Sequence, residues 1–154
     1  MALSVRSLGW ALGERIPTQY TADGEDRSPG IEFGGVSRDV QSFALVFDDP
    51  DAPGGTWVHW VLYNIPGTAR GLPDHLPRSE VLPEGMRQGR NSWDEIGYRG
   101  PSPPPGKPHR YIFHLYALSQ PARLLPGLTA SALQDLIRPH LLATATYVGT
   151  YGRG

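Results

Sequence analysis

A chain of 154 residues suits one domain with a single continuous core, so residues 1–154 are expected to fold together without disulfides or a structural metal. Fourteen Lys and Arg against fifteen Asp and Glu leave a net charge of -1, which excludes the basic footprint needed for nucleic acid or an anionic membrane. With no cysteine, a disulfide framework, a thiolate nucleophile and a cysteine-ligated metal cluster are excluded as well.

The first twenty residues, MALSVRSLGWALGERIPTQY, carry two arginines and apolar patches broken by Gly, Glu and Pro, so they lack the apolar region of an export signal. No apolar run approaches the roughly 20 residues that cross a bilayer. The expectation is a cytoplasmic protein with no membrane insertion. Gly (19) and Pro (16) are abundant beside four Trp, seven Tyr and four Phe, a balance that suits short strands joined by frequent turns better than disorder.

In chain order, Ser42 to Asp48 (SFALVFD) is short, apolar and rich in β-favouring residues, and it runs into the turn-forming stretch Asp49 to Gly55. Thr56 to Ile65 (TWVHWVLYNI) is apolar on both faces, as a buried central strand would be, and stops at Pro66-Gly67. From Gly67 to Asn91, Pro73, Pro77 and Pro83 rule out a long helix and predict an irregular surface excursion. The proline-rich loop Gly100 to Pro108 then feeds another buried strand, His109 to Leu118 (HRYIFHLYAL). Thr129 is placed to N-cap a helix over Ala130 to Ile137, with Leu133, Leu136 and Ile137 on one face, and Pro139 should kink or end it. Ala143 to Tyr151 alternates and reads as a last strand. The fold class is mainly β with a late helix.

The two-residue period of a strand puts Trp57 with His59 on one face and His109 with Tyr111 on one face, so each pair can point into one pocket. Asp49 sits on a loop stiffened by Pro50 and Pro53, where a carboxylate can orient a histidine. Two imidazoles and a phenol supply hydrogen bonds to an anion, and Gly100 lets its backbone approach a ligand closely. Asp49 would repel a phosphate directly, so it is given a different partner: an imidazole N–H or a protonated phosphate oxygen. Asp49 and Asp51 also suit Asx-type turn bonds, a role that fits Asp51 more readily. His75, His114 and His140 have no partner pattern and are read as structural, with His114 facing away from Tyr111.

Asp49-Pro50-Asp51-Ala52-Pro53 followed by His59, and Gly100-Pro101 leading to His109-Arg110-Tyr111, resemble the two signatures of the phosphatidylethanolamine-binding protein family. The similarity is greatest to its prokaryotic, Raf-kinase-inhibitor-like branch and extends to Ile16-Pro17, Tyr20 to Glu25, Ser28-Pro29 and Gly149-Thr150-Tyr151. The resemblance implies a β-sandwich of two antiparallel sheets with an anion pocket near one edge. It places Asp49, His59, His109 and Tyr111 in that pocket, with Pro53, Trp57, Gly100 and Pro101 as walls. It implies no cofactor or metal, and homodimers occur among such prokaryotic proteins. Ala22 and Ser102 stand where the family often has cysteine, and Gly54-Gly55-Thr56 lacks the pocket tyrosine of eukaryotic members.

The leading functional expectation is a binding protein, with a regulatory role, for a small anion such as phosphate, a phosphomonoester or a phosphorylated head group or metabolite. The chain has no Gly-x-Ser-x-Gly elbow and no Walker loop. A second reading uses the same residues for general acid and base chemistry, as hydrolysis or a biosynthetic cyclisation. A third takes Asp49, His59 and His109 as a two-histidine, one-carboxylate metal site and ranks last among these. Inhibition of a protease or kinase is implied only by distant relatives.

Overall fold

The computed structural model describes residues 2–121 and 123–154. In chain order the strands are β1 (Ser4–Ser7), β2 (Ile31–Gly34), β3 (Ser42–Asp49), β4 (Trp57–Pro66), β5 (Gly71–Leu72), β6 (Arg87–Gln88) and β7 (His109–Leu118). A helix, α1 (Ala130–Ile137), precedes the last strand, β8 (Leu141–Tyr151), and single 3-10 turns occupy Thr18–Tyr20, Pro83–Gly85 and Arg138–His140. A five-stranded sheet runs β6-β4-β3-β7-β8 and a three-stranded sheet runs β1-β2-β5. Every pairing between these strands is antiparallel.

Strand β3 is central in the larger sheet, and all of its residues are buried. Its alternation divides the core in two. Phe43, Leu45 and Phe47 point toward the small sheet and meet Val5, Ile31, Phe33 and Leu72. Ala44 and Val46 point the other way and meet Ala130, Leu133 and Ile137 of α1. The result is a mainly β, antiparallel two-sheet fold with one helix over the outer face of the larger sheet, as the resemblance implies.

The strand read from His109 to Leu118 has those bounds, and those read from Ser42 and Thr56 are displaced by a residue at one or both ends. The last strand begins two residues earlier than expected, at Leu141. Helix α1 also has the expected bounds, and the Thr129 hydroxyl accepts from the Ala132 N–H at 3.2 Å. Its buried stripe differs from expectation: Ala130, Leu133 and Ile137 face the sheet, whereas Leu136 is 48% exposed. Leu136 lies about a quarter of a turn from the line between Leu133 and Ile137 and points past the sheet. Pro139 falls in the 3-10 turn that ends the helix.

Residues 67–91 are irregular, as expected, but firmly held. Gln88 is buried, and its carbonyl accepts from the Trp60 indole at 2.7 Å while its amide donates to the Pro77 and Ser79 carbonyls, each at 2.7 Å. Strands β1 and β2 were not foreseen, because four residues with two inward side chains each give too little alternation to read. Among the described residues no helix is long and apolar enough to cross a membrane.

Replacing Thr129 by Ala removes the side-chain acceptor at the start of α1. The expected cost is about 1 kcal/mol, read as a lower urea midpoint with an unchanged m-value.

Candidate functional site

At the end of β3 the chain turns through Pro50, and the Asp49 carboxylate organises the turn. Its Oδ1 accepts from the Asp51 N–H at 2.8 Å, an Asx turn, and its Oδ2 accepts from His109 Nδ1 at 2.7 Å. Asp51, the residue read as the better turn former, instead faces Arg110. It accepts from the Arg110 backbone N–H at 2.8 Å and from the guanidinium at 3.0 and 2.9 Å. This fork holds the Asp51 carboxyl down at about 2. The Asp49 and Asp51 carboxylates, two residues apart, thus tie the loop to the first residues of β7.

His59 owes its position to an irregularity in β4. Phe47 pairs with Trp60 and Asp48 with Val58, so His59 is the extra residue of a β-bulge. The imidazole is buried, and its Nδ1 donates to the Arg99 carbonyl at 2.7 Å. A carbonyl only accepts, so this contact fixes the Nδ1–H tautomer and leaves Nε2 as the acceptor of the neutral ring. Burial pushes the His59 pKa down, against smaller opposing effects of the Arg99 carbonyl and the Asp49 charge.

Tyr111 is fully buried, and its hydroxyl, though near the Asp49 carboxylate, completes no hydrogen bond within 3.5 Å among the described residues. Burial, then the neighbouring Asp49 carboxylate, pushes its pKa far up, so the phenol stays protonated. Its ring meets His59 edge-on at 5.3 Å, and both rings pack on Phe47, at 6.2 and 6.0 Å.

These groups open onto a cavity of about 640 Å³ lined by Asp49, Pro53, Trp57, His59 and Tyr111 together with Trp93, Ser92, Ser102 and the loop residues around them. The structure brings Asp49, His59, Tyr111, Pro53 and Trp57 together in the wall of one cavity. His109 does not line this cavity. It touches Asp49 from behind and opens onto a neighbouring depression with Lys107 and Arg110. Gly100 and Pro101 also lie behind the wall. The Gly100 N–H donates to Asp26 Oδ1 at 2.6 Å, a side chain there would strike the Tyr20 carbonyl, and the Pro101 carbonyl accepts from the Ala22 N–H at 3.0 Å. The close approach that glycine permits is to another loop of the chain. Among the described residues no three His, Asp or Glu side chains are grouped to share a metal ion.

Trp93 was missed. It meets Trp57 edge-on at 5.5 Å and His59 at 5.0 Å, with the Arg99 guanidinium over its face at 5.6 Å. Its loop is shaped by buried Asn91, whose side-chain oxygen accepts from the Trp93 and Glu95 N–H groups at 3.0 and 3.1 Å and whose amide donates to the Gly97 carbonyl. Ser92 ties the same loop to β4 through Val58 N–H at 2.8 Å. The only signal was the turn-forming run Asn91-Ser92, with no periodicity to place the tryptophan.

Residues 6–152 match the family model described as phosphatidylethanolamine-binding protein. A UPF0098 protein of Methanothermobacter thermautotrophicus is 45% identical over 140 residues, covering 91% of this chain and 92% of the relative. One from Aquifex aeolicus is 41% identical, covering 98% and 89%. Among solved structures, E. coli YbcL superposes with a TM-score of 0.92 at 32% identity over all of both chains. The homologue CT736 from Chlamydia trachomatis gives 0.90 at 33% over 99% of each.

The depressed pKa of His59 sets a direction for acid sensitivity. Below the ordinary value of 6.5 the unfolded chain binds a proton that the native ring refuses, so this group's stabilisation is complete above pH 6.5 and is lost as pH falls below it. Nitrogen NMR of the imidazole should show the neutral Nδ1–H tautomer persisting at pH 6.5, where an exposed histidine is half protonated.

Proposed function

The chain belongs to the phosphatidylethanolamine-binding protein family, and from that premise we propose that it is a binding protein for a small oxyacid, such as phosphate or a phosphorylated head group or metabolite. The observation that carries this reading is the buried, unpartnered Tyr111 hydroxyl in the wall of a cavity that also exposes His59. Such a group costs about 1–3 kcal/mol to leave unpaired, and a ligand oxygen in the cavity would satisfy it. Tyr111 and His59 contact the ligand directly, while Pro53, Trp57 and Trp93 shape the walls. Asp49 and His109 act as a supporting unit. Hydrogen bonded to Asp49, His109 turns the carboxylate from a lone repulsive charge into a partnered group.

A second reading keeps general acid and base chemistry. It is favoured by one observation, the 2.7 Å contact of Asp49 with His109, which is the arrangement that orients a catalytic imidazole. On that reading the substrate would approach from the depression lined by Lys107, His109 and Arg110. Binding without turnover, with His109 remote from the bound oxygen, separates the first reading from the second.

Calorimetric titration with inorganic phosphate and a small phosphomonoester tests the binding reading. His109→Ala should weaken phosphomonoester binding at least about fivefold, because Asp49 then faces the ligand without its partner. Absence of binding by the parent protein, or unchanged affinity in a variant with a native melting temperature, would sink it.

A further inference from the structure

The hydrogen-bonding capacity left in the cavity is narrower than its residue types suggest. Both Asp49 oxygens are engaged within the chain, one by the Asp51 N–H and one by His109. His59 has spent its Nδ1 proton on the Arg99 carbonyl, which leaves one lone pair at Nε2. The Tyr111 O–H completes no hydrogen bond within 3.5 Å, and the nearby Asp49 carboxylate is the group a ligand oxygen would compete with. No Lys or Arg lines the cavity, and Asp49 is its one acidic lining residue among the described residues. An anion would therefore meet the Tyr111 phenol, the hydroxyl and indole donors of Thr56, Ser92, Ser102, Trp57 and Trp93, one imidazole acceptor and a carboxylate, and no cation.

The surroundings of His59 keep Nε2 an acceptor. The titratable and charged groups around the ring are Asp49 at the end of β3, Tyr111 on β7, Asp26 in the loop before β2, and Arg99 beside Trp93. Asp49 is taken by His109, and Asp26 by the Gly100 N–H and Arg78. Arg99 forks onto Glu95 at 3.0, 2.9 and 2.9 Å. None of the carboxylates accepts a hydrogen bond from the imidazole, and although the Arg99 and Gly100 backbone and the Asp49 and Asp26 charges favour the charged ring, burial outweighs them and disfavours a second ring proton.

Resting on the oxyacid-binding reading, we propose that the site takes its ligand in a protonated form. A ligand O–H donates to His59 Nε2, while another oxygen of the same acid group accepts from the Tyr111 hydroxyl. An oxyanion without a proton would set its lone pair against that of Nε2 and leave a buried acceptor unpaired, beside a carboxylate. A site built to pair with a ligand O–H rejects analogues that lack it. The selected species is thus a singly protonated phosphate or phosphomonoester or a neutral carboxylic acid, in preference to a sulfate or a phosphate dianion.

Phenyl phosphate and phenyl sulfate separate this from simple charge attraction. Phosphomonoesters lose their second proton at about pH 6, so at about pH 5.5 both esters are chiefly monoanions of similar shape, and only the phosphate carries an O–H. Calorimetry of the unmodified protein should show phenyl phosphate binding at least about tenfold tighter than phenyl sulfate at this pH, and weakening as pH rises to about 7.5. Tyr111→Phe, which keeps the ring, should lower phenyl phosphate affinity by a similar factor. Equal affinity for the two esters, or phosphate binding that tightens with rising pH, would overturn the protonated-ligand inference and leave the oxyacid reading standing. If neither ester nor inorganic phosphate binds at either pH, the oxyacid reading falls and takes the inference with it.

Discussion

The burial of β3 on both faces is the constraint from which the rest of the molecule follows. A strand that exposes neither side must be covered twice, by the small sheet over Phe43, Leu45 and Phe47 and by α1 over Ala44 and Val46. Phe47 then joins core and pocket. It stacks on Phe113 at 4.1 Å and on Tyr98 at 5.8 Å, Trp10 extends the stack beyond Phe113, and the rings of His59 and Tyr111 rest against its pocket side. The two cavity rings are thus held against the aromatic stack of the core. Two residues on, the same strand delivers Asp49 to the cavity.

Electrostatic restraint is the second theme. The loop that follows β3 carries two carboxylates at its start, and both are answered by β7: Asp49 by His109 and Asp51 by Arg110. Asp51 and Arg110 are partly open to water, where such pairs add little stability, but their fork fixes the loop against the strand. The cavity is therefore lined by oriented dipoles and a neutral imidazole rather than by a cluster of cations. Recognition in such a place depends on matching donors to acceptors more than on attracting charge.

Much of this was legible in the chain. Long apolar runs bounded by Pro and Gly announced β3, β4 and β7, and the Thr129 cap announced α1, because local chemistry decides those features. The convergence of Asp49, His59 and Tyr111 could be read from alternation along two strands. What could not be read depends on contacts distant in sequence. Asp49 and Asp51 are chemically alike and two residues apart, and only the position of Arg110 and His109 across the loop assigns the turn to one and the ion pair to the other. Gly100 invited a ligand on paper because nothing local revealed the Tyr20 backbone against it. Trp93 sits in a loop shaped by Asn91, with no period to betray its direction. Leu136 counted as buried until the angular position of the sheet was known.

The bulge at His59 has a consequence for how this chain can change. Below it, Trp57 and Val58 pair with Asp49 and Asp48; above it, Trp60 onward pairs with Phe47 and the residues behind it. Deleting residue 59 would make the ladder more regular, so the sheet itself has no use for it. The extra residue serves the cavity wall and the Arg99 loop that it binds, and it acts as a mechanical joint between the cavity end and the core end of the strand. Side chains at the mouth lie beyond the bulge from the register of the core, whereas the imidazole itself stays coupled to the core through Phe47. A lineage carrying this joint could reshape the cavity mouth while keeping the scaffold that folds it.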